Sequence, residues 1–199
     1  LSQDDVIVLG HDDTFARTAN AERSCAETPL YMLKALDVGS YFSEEFAGER
    51  VPTLSEVISL LTVHNMGVNL ELKPDKGREA ETGRVVAEYI RDNWPNSLPS
   101  PIISSFNRES LTASHDVLPN VEHAILWEEV PADWQDEVGS LKADAIHIDS
   151  DVLTESQCRA FIEAGSPVRC YTVNDAERAK ELESWGVEGI VTDFPDRML

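Results

Sequence analysis

Cysteine is scarce: Cys25, Cys158 and Cys170 are the only three in 199 residues, an odd and widely spaced set. Such a set frames no disulfide-stapled module and holds no CxxC pair for a metal, so reduced thiols and a cytoplasmic location are expected. Positive charge is scarce too. Sixteen Lys and Arg stand against 37 Asp and Glu, a formal net charge of −21. A surface of that sign repels phosphate backbones, which excludes nucleic acid as a partner. No apolar run approaches the roughly 18 residues that cross a bilayer, which excludes membrane insertion. The opening Leu1-Ser2-Gln3-Asp4-Asp5 has no signal-peptide character, and no Asn-x-Ser/Thr acceptor occurs. Also missing are a GxGxxG turn, a P-loop, a GxSxG elbow and an HExxH helix. Asp149-Ser150-Asp151 lacks the rest of a calcium loop.

What is present suits a packed core. Hydrophobic residues make up 42% and charged residues 27%, unlike a disordered acidic chain. From Val68 onward, short β-type runs alternate with amphipathic helical stretches. The runs are Val68–Leu72, Ile102–Ser105, Glu122–Leu126, Ala145–Ile148, Val168–Thr172 and Gly189–Thr192. Thr53 with Glu56, and Thr154 with Gln157, form capping boxes at helix starts, and Asn174 with Glu177 repeats the pattern. Pro131 fits the first turn of a further helix, and Gly165 and Gly186 mark helix ends. Strands recurring about every 20 to 25 residues with helices between them predict parallel βα units. A single domain over 1–199 is expected, with residues 13–50 leaving the βα rhythm as an insertion lobe.

Polar residues collect at the carboxyl ends of these strands, where (β/α) barrels place their chemistry. Only six barrel strands are visible, however, and an eight-stranded barrel typically needs about 250 residues. In Asn69-Leu70-Glu71-Leu72-Lys73, strand alternation puts Leu70 and Leu72 on one face and Asn69, Glu71 and Lys73 on the other. Parallel strands covered by helices are usually apolar on both faces, so an inward carboxylate and ammonium ask for a ligand or metal. A structural ion pair, or an edge strand half in water, would also account for them. Val6-Ile7-Val8-Leu9-Gly10-His11-Asp12 reads as an apolar strand that ends on glycine, histidine and carboxylate. An imidazole there could donate a proton to a leaving group, or serve as a hydrogen-bonded structural residue. His147 shares a strand face with Ala145 and Asp149, whereas His64, His115 and His123 read as structural. Phe106, Trp127 and Tyr171 each follow a β run and could wall a pocket or simply pack.

These residues together resemble the glycerophosphodiester phosphodiesterase family, along essentially the whole chain and in order. The matching segments are Val8-Leu9-Gly10-His11-Asp12-Asp13-Thr14 with Arg17-Thr18, Val51-Pro52-Thr53-Leu54-Ser55-Glu56-Val57 and Asn69-Leu70-Glu71-Leu72-Lys73-Pro74. Ile103-Ser104-Ser105-Phe106, Tyr171-Thr172-Val173-Asn174 and Trp185-Gly186-Val187-Glu188-Gly189-Ile190-Val191-Thr192-Asp193 follow. The resemblance implies an α/β (β/α)8 TIM barrel that hydrolyses glycerophosphodiesters to an alcohol and glycerol 3-phosphate, with one divalent cation, Mg²⁺ or Ca²⁺. It implies a catalytic histidine at His11, a metal-ligand glutamate at Glu71 and a phosphate-facing lysine at Lys73. The family's first-strand His-Arg pair and second-strand Glu-x-Asp ligands have no match before His11. The expectation is therefore an amino-terminally partial chain, inactive by itself. A non-catalytic barrel relative or a related phospholipase are the alternatives.

Overall fold

The structure, a computed structural model, describes residues 1–198. The apolar run before His11 is not a strand. Val8 makes a single antiparallel bridge to Thr53, and backbone bonds join Leu9 N to Pro52 O (2.9 Å) and Leu54 N to Ile7 O (3.1 Å). Residues 6–9 thus lean on the entrance to a helix rather than joining the main sheet. The lobe that follows holds β1 (Thr14–Phe15), α1 (Ala16–Ala19) and β2 (Ala21–Ser24), with β1 and β2 antiparallel, then α2 (Leu30–Leu33) and a 3₁₀ turn at Glu44–Phe46. Phe15, Leu33 and Val51 give it a small core of its own.

The βα rhythm begins with α3 (Leu54–His64), where Thr53 Oγ1 accepts from Glu56 N and Glu56 returns the bond to the Thr53 amide. Then come β3 (Asn69–Glu71), α4 (Glu79–Asn93), β4 (Ile102–Ser105), α5 (Arg108–Val117), β5 (Glu122–Trp127) and α6 (Trp134–Leu141). After these lie β6 (Ala145–Asp149), α7 (Glu155–Glu163), β7 (Val168–Tyr171), α8 (Ala176–Trp185) and β8 (Gly189–Ile190). The last six strands form one parallel sheet in sequence order, β3-β4-β5-β6-β7-β8. This is the curved α/β sheet of six barrel strands that the apolar runs predict. Among the described residues, β3 and β8 are its edges.

Alternation along each strand sorts the side chains into two layers. Ile125, Trp127, Ile146, Ile148, Val168 and Cys170 face the helices and pack with Leu111, Phe161 and Leu182. Leu70, Leu72 and Ile103 do the same against Leu54, Ile58, Val86 and Ile90. The opposite face, turned away from the helices, carries the polar set.

Two helix starts differ from expectation. Asp175, not Asn174, caps α8, its carboxylate accepting from Arg178 N. Asn174 is occupied elsewhere: its carbonyl accepts from Asp193 N at 2.9 Å and Thr192 Oγ1 at 3.0 Å. Pro131 precedes α6 rather than opening it; its carbonyl accepts from Trp134 N at 3.3 Å, and Asp133 is the cap. The capping box at Thr154 and Gln157 forms as expected, and Gly186 ends α8 with φ 99°, a conformation that only glycine adopts cheaply.

Candidate active site

Strand β3 presents the first group of candidates. Asn69 and Glu71 pair in register with Ile102 and Ser104, so they share the face opposite Leu70 and Leu72. Lys73, two residues beyond Glu71, continues that face. Its Nζ lies 3.4 Å from Glu71 Oε1, with the two side chains 35% and 28% exposed. This is an ion pair at the carboxyl end of a strand, open to solvent on one side and supported by an apolar layer on the other. Because β3 is an edge, a cavity of about 1040 Å³ wraps it, lined among others by Asn69, Glu71, Lys73 and Asp75.

His11 reaches the same cavity from the other wall, together with Asp12. The tie of residues 7–9 to Pro52 and Leu54 fixes the approach. At Gly10 an added Cβ would stand 3.0 Å from the Phe15 ring, tighter than most side chains tolerate, so the chain passes close over the lobe before turning. The imidazole then projects outward, 77% exposed, with Nδ1 2.8 Å from Asp12 Oδ1. Asp12 also accepts two bonds from Arg17, Nε to Oδ2 at 2.7 Å and Nη2 to Oδ1 at 3.1 Å. Arg17, and to a smaller extent His11, hold the Asp12 carboxyl down to about 2. The Arg17 guanidinium lies 5.6 Å from the centre of the Tyr41 ring. His11, Glu71 and Lys73, distant in sequence, therefore face one space.

The aromatic candidates divide. Phe106 and Tyr171 meet edge to face with centroids 5.9 Å apart. The Tyr171 hydroxyl donates to the Trp127 carbonyl at 2.7 Å. Burial first, and then the carboxylates of Asp149, Glu128 and Glu71, push that phenol well above its usual range, so it stays a neutral donor. Trp127 is a correction. The residue is 2% exposed, on the helix side of β5, with its ring tilted against Phe161 and Nε1 donating to Glu137 at 3.1 Å. The register that puts Ala124 and Leu126 on the inner face sends Trp127 the other way, so it cannot wall a pocket.

His147 does lie on the inner face, but it is 3% exposed and its Nε2 accepts from Arg169 Nη1 at 3.3 Å. His123 is buried with Nε2 2.9 Å from Ser114 Oγ and Nδ1 2.8 Å from the Val121 carbonyl, a structural role. Sequence reasoning passed over the Glu122–Arg169–Glu188 network around His147. Arg169 bonds Glu122 Oε1 at 2.5 Å and Glu188 Oε2 at 2.9 Å. Its signal was available: an arginine between Val168 and Cys170 in a strand otherwise apolar. Among the described residues, no group of three or more His, Cys, Asp and Glu side chains could hold a metal. Glu71 is a single carboxylate, and the residues present do not fit a complete cation site.

A parallel α/β half-barrel with a carboxylate and an ammonium at a strand's carboxyl end, and an imidazole lining the same cavity, is the scaffold of a barrel enzyme. The chain belongs to the Glycerophosphoryl diester phosphodiesterase family, whose family model matches residues 1–197; it is an enzyme of the phosphodiesterase class. A glycerophosphodiester phosphodiesterase of Caldanaerobacter subterraneus subsp. tengcongensis is 30% identical over 204 residues, covering 100% of this chain and 81% of the relative. One from Bacillus altitudinis is 29% identical over 200 residues, covering 99% and 81%. The solved structure of an Oleispira antarctica phosphodiesterase in complex with the product sn-glycerol-3-phosphate superposes with TM-score 0.95 at 33% identity, covering 100% of this chain and 80% of that one.

Proposed function

We propose that this protein hydrolyses glycerophosphodiesters to an alcohol and glycerol 3-phosphate, with His11 as the general acid and Lys73 as the phosphate-binding cation. The observation that carries the reading is the convergence of His11, Glu71 and Lys73 on one cavity, in a chain whose relatives include a phosphodiesterase holding glycerol 3-phosphate. A phosphodiester monoanion repels nucleophiles, and Lys73 places a point charge where a non-bridging oxygen gains charge in the transition state. When the bond from phosphorus to the alcohol oxygen breaks, the departing oxygen needs a proton. His11 Nε2, left free because Nδ1 is engaged by Asp12, supplies it. Glu71 holds the Lys73 ammonium in the cavity and is the carboxylate proposed to meet Mg²⁺ or Ca²⁺. The described residues supply no complete ligand set for such an ion, and the roles given to His11 and Lys73 do not depend on one. Phe106 and Tyr171 form an apolar edge at the ends of β4 and β7 suited to the carbon skeleton of a substrate.

The test is turnover of a panel of glycerophosphodiesters by the native protein, followed as released glycerol 3-phosphate. His11→Ala is expected to cut turnover by roughly 10²–10⁴ if it is the general acid. Lys73→Met is expected to cost about 10²-fold in kcat through the lost charge on the transition state. Wild-type kinetics in both variants would remove the assignment.

A further inference from the structure

The Asp12 carboxylate has more partners than a residue serving the surface alone would need. It accepts from His11 Nδ1 and twice from Arg17, and the Arg17 guanidinium is stacked over Tyr41 of the lobe. We propose that Asp12 is the positioning residue of the reaction, held by Arg17 so that it fixes His11 with Nδ1 protonated and Nε2 turned to the substrate. The inference rests on the general-acid reading of His11 and deepens it.

The argument is one of donors and acceptors. An ionised carboxylate can only accept, so the short contact of 2.8 Å obliges His11 Nδ1 to carry the hydrogen. The neutral ring must then leave its lone pair on Nε2, and the charged ring presents Nε2–H to the departing oxygen. The buried aspartate of hydrolase triads orients its imidazole in the same way. Asp12 needs its own anchor, because His11 sits mostly in solvent and a lone surface pair holds geometry poorly. Arg17 provides it through a two-bond fork, which fixes the plane of the carboxylate as a single bond would not. The fork ties Asp12 to Arg17 on α1, five residues on, so the lobe and the imidazole are joined by one chain of contacts: Tyr41 to Arg17 to Asp12 to His11. The lobe thereby has a task at the reaction centre, although none of its aromatic side chains reaches it.

The test separates geometry from chemistry. In the native protein labelled with ¹⁵N-histidine, the neutral His11 ring is expected to show the Nδ1–H form. In Asp12→Asn it is expected to shift toward the Nε2–H form, because an amide can also donate. The same variant should lose kcat about tenfold, less than in a buried triad because of solvent screening, with KM held within about twofold. Asp12→Glu should recover part of the loss, and Arg17→Leu, which leaves Asp12 in place, should give a smaller shift in the same direction. A His11 tautomer unchanged in Asp12→Asn overturns the proposal. So does a changed tautomer with full kcat, when His11→Ala has lost activity. Full activity in His11→Ala sinks the general-acid reading instead, and the nitrogen spectra then still report whether the contact orients the ring.

Discussion

Lowering the pH puts the buried network at the base of the sheet under a measurable load. His147 is 3% exposed and faces the Arg169 guanidinium at 3.3 Å, with Glu122 and Glu188 already bonded to that arginine. Burial first, and Arg169 second, push the imidazole down to about 4, from 6.5 in the unfolded chain. Between those values the unfolded state binds a proton that the folded state refuses, so stability must rise with pH across the window and fall as pH drops through it. The contribution is complete above the unfolded value and is lost progressively down to the folded one. At about 1.4 kcal/mol per pH unit, the whole gap amounts to about 3 kcal/mol, of which about 2 kcal/mol is lost by about pH 5. Urea unfolding of the wild type and His147→Gln, at about pH 7.5 and about pH 5, isolates the effect. The introduced amide keeps an acceptor for Arg169 but has nothing to titrate. His123, also lowered by burial, and the relief of general negative charge on acidification are common to both proteins and cancel in the difference. Acid destabilisation of equal size in the two would refute the reasoning.

Two further outcomes follow from packing. Gly83→Ala in α4 gains helix propensity of about 1 kcal/mol, yet its Cβ would lie 2.1 Å from the Ser110 carbonyl oxygen of α5. A net loss of about 1–3 kcal/mol from forced separation of the helices is therefore expected in thermal melts, and a stabilised variant would contradict it. The thiols differ in the same structural sense. Cys158 and Cys170 are buried, and burial pushes Cys170 up to about 12, so a thiol reagent should label Cys25 first and all three only after unfolding.

The architecture was legible where the physics is local. The six apolar runs are strands because each combines β-branched residues with bounding turns, and the capping boxes at Thr53 and Thr154 satisfy their own backbone donors within four residues. The misreadings have a common cause: tertiary partners that no local pattern contains. Val6–Leu9 is apolar and β-branched like the true strands, yet its backbone bonds go to Pro52 and Leu54, and it never enters the sheet. Asn174 has the spacing of a cap, but Asp193 and Thr192, nearly twenty residues on, compete for its amide. Trp127 follows a β run as Phe106 and Tyr171 do, and only the strand's register decides that it faces Phe161 instead of the mouth. Alternation alone located Glu71 and Lys73 on one face. That His11 lines the same cavity depended on the path of the lobe, which has no periodicity to read.

The inner face carries two acid–base clusters of similar composition, and their surroundings separate structure from chemistry. Near the amino ends of the strands, Arg169 is shared by Glu122, Glu188 and His147, with only 16% of its side chain exposed. Three of its five donors are taken, and a ligand would have to join that cluster in a poorly hydrated place, at a cost of several kcal/mol. At the carboxyl ends, Lys73 has one carboxylate neighbour at 3.4 Å, twice the exposure, and a cavity in front of it. An ammonium has three donors, so a phosphoryl oxygen can join Lys73 without evicting Glu71. Strand alternation alone does not rank Arg169 against Lys73, since it places each cation on the inner face and no more. What ranks them is occupancy: the guanidinium already held by three partners ties the sheet together, and the ammonium with one carboxylate beside it and a cavity in front is the one we propose to meet the substrate.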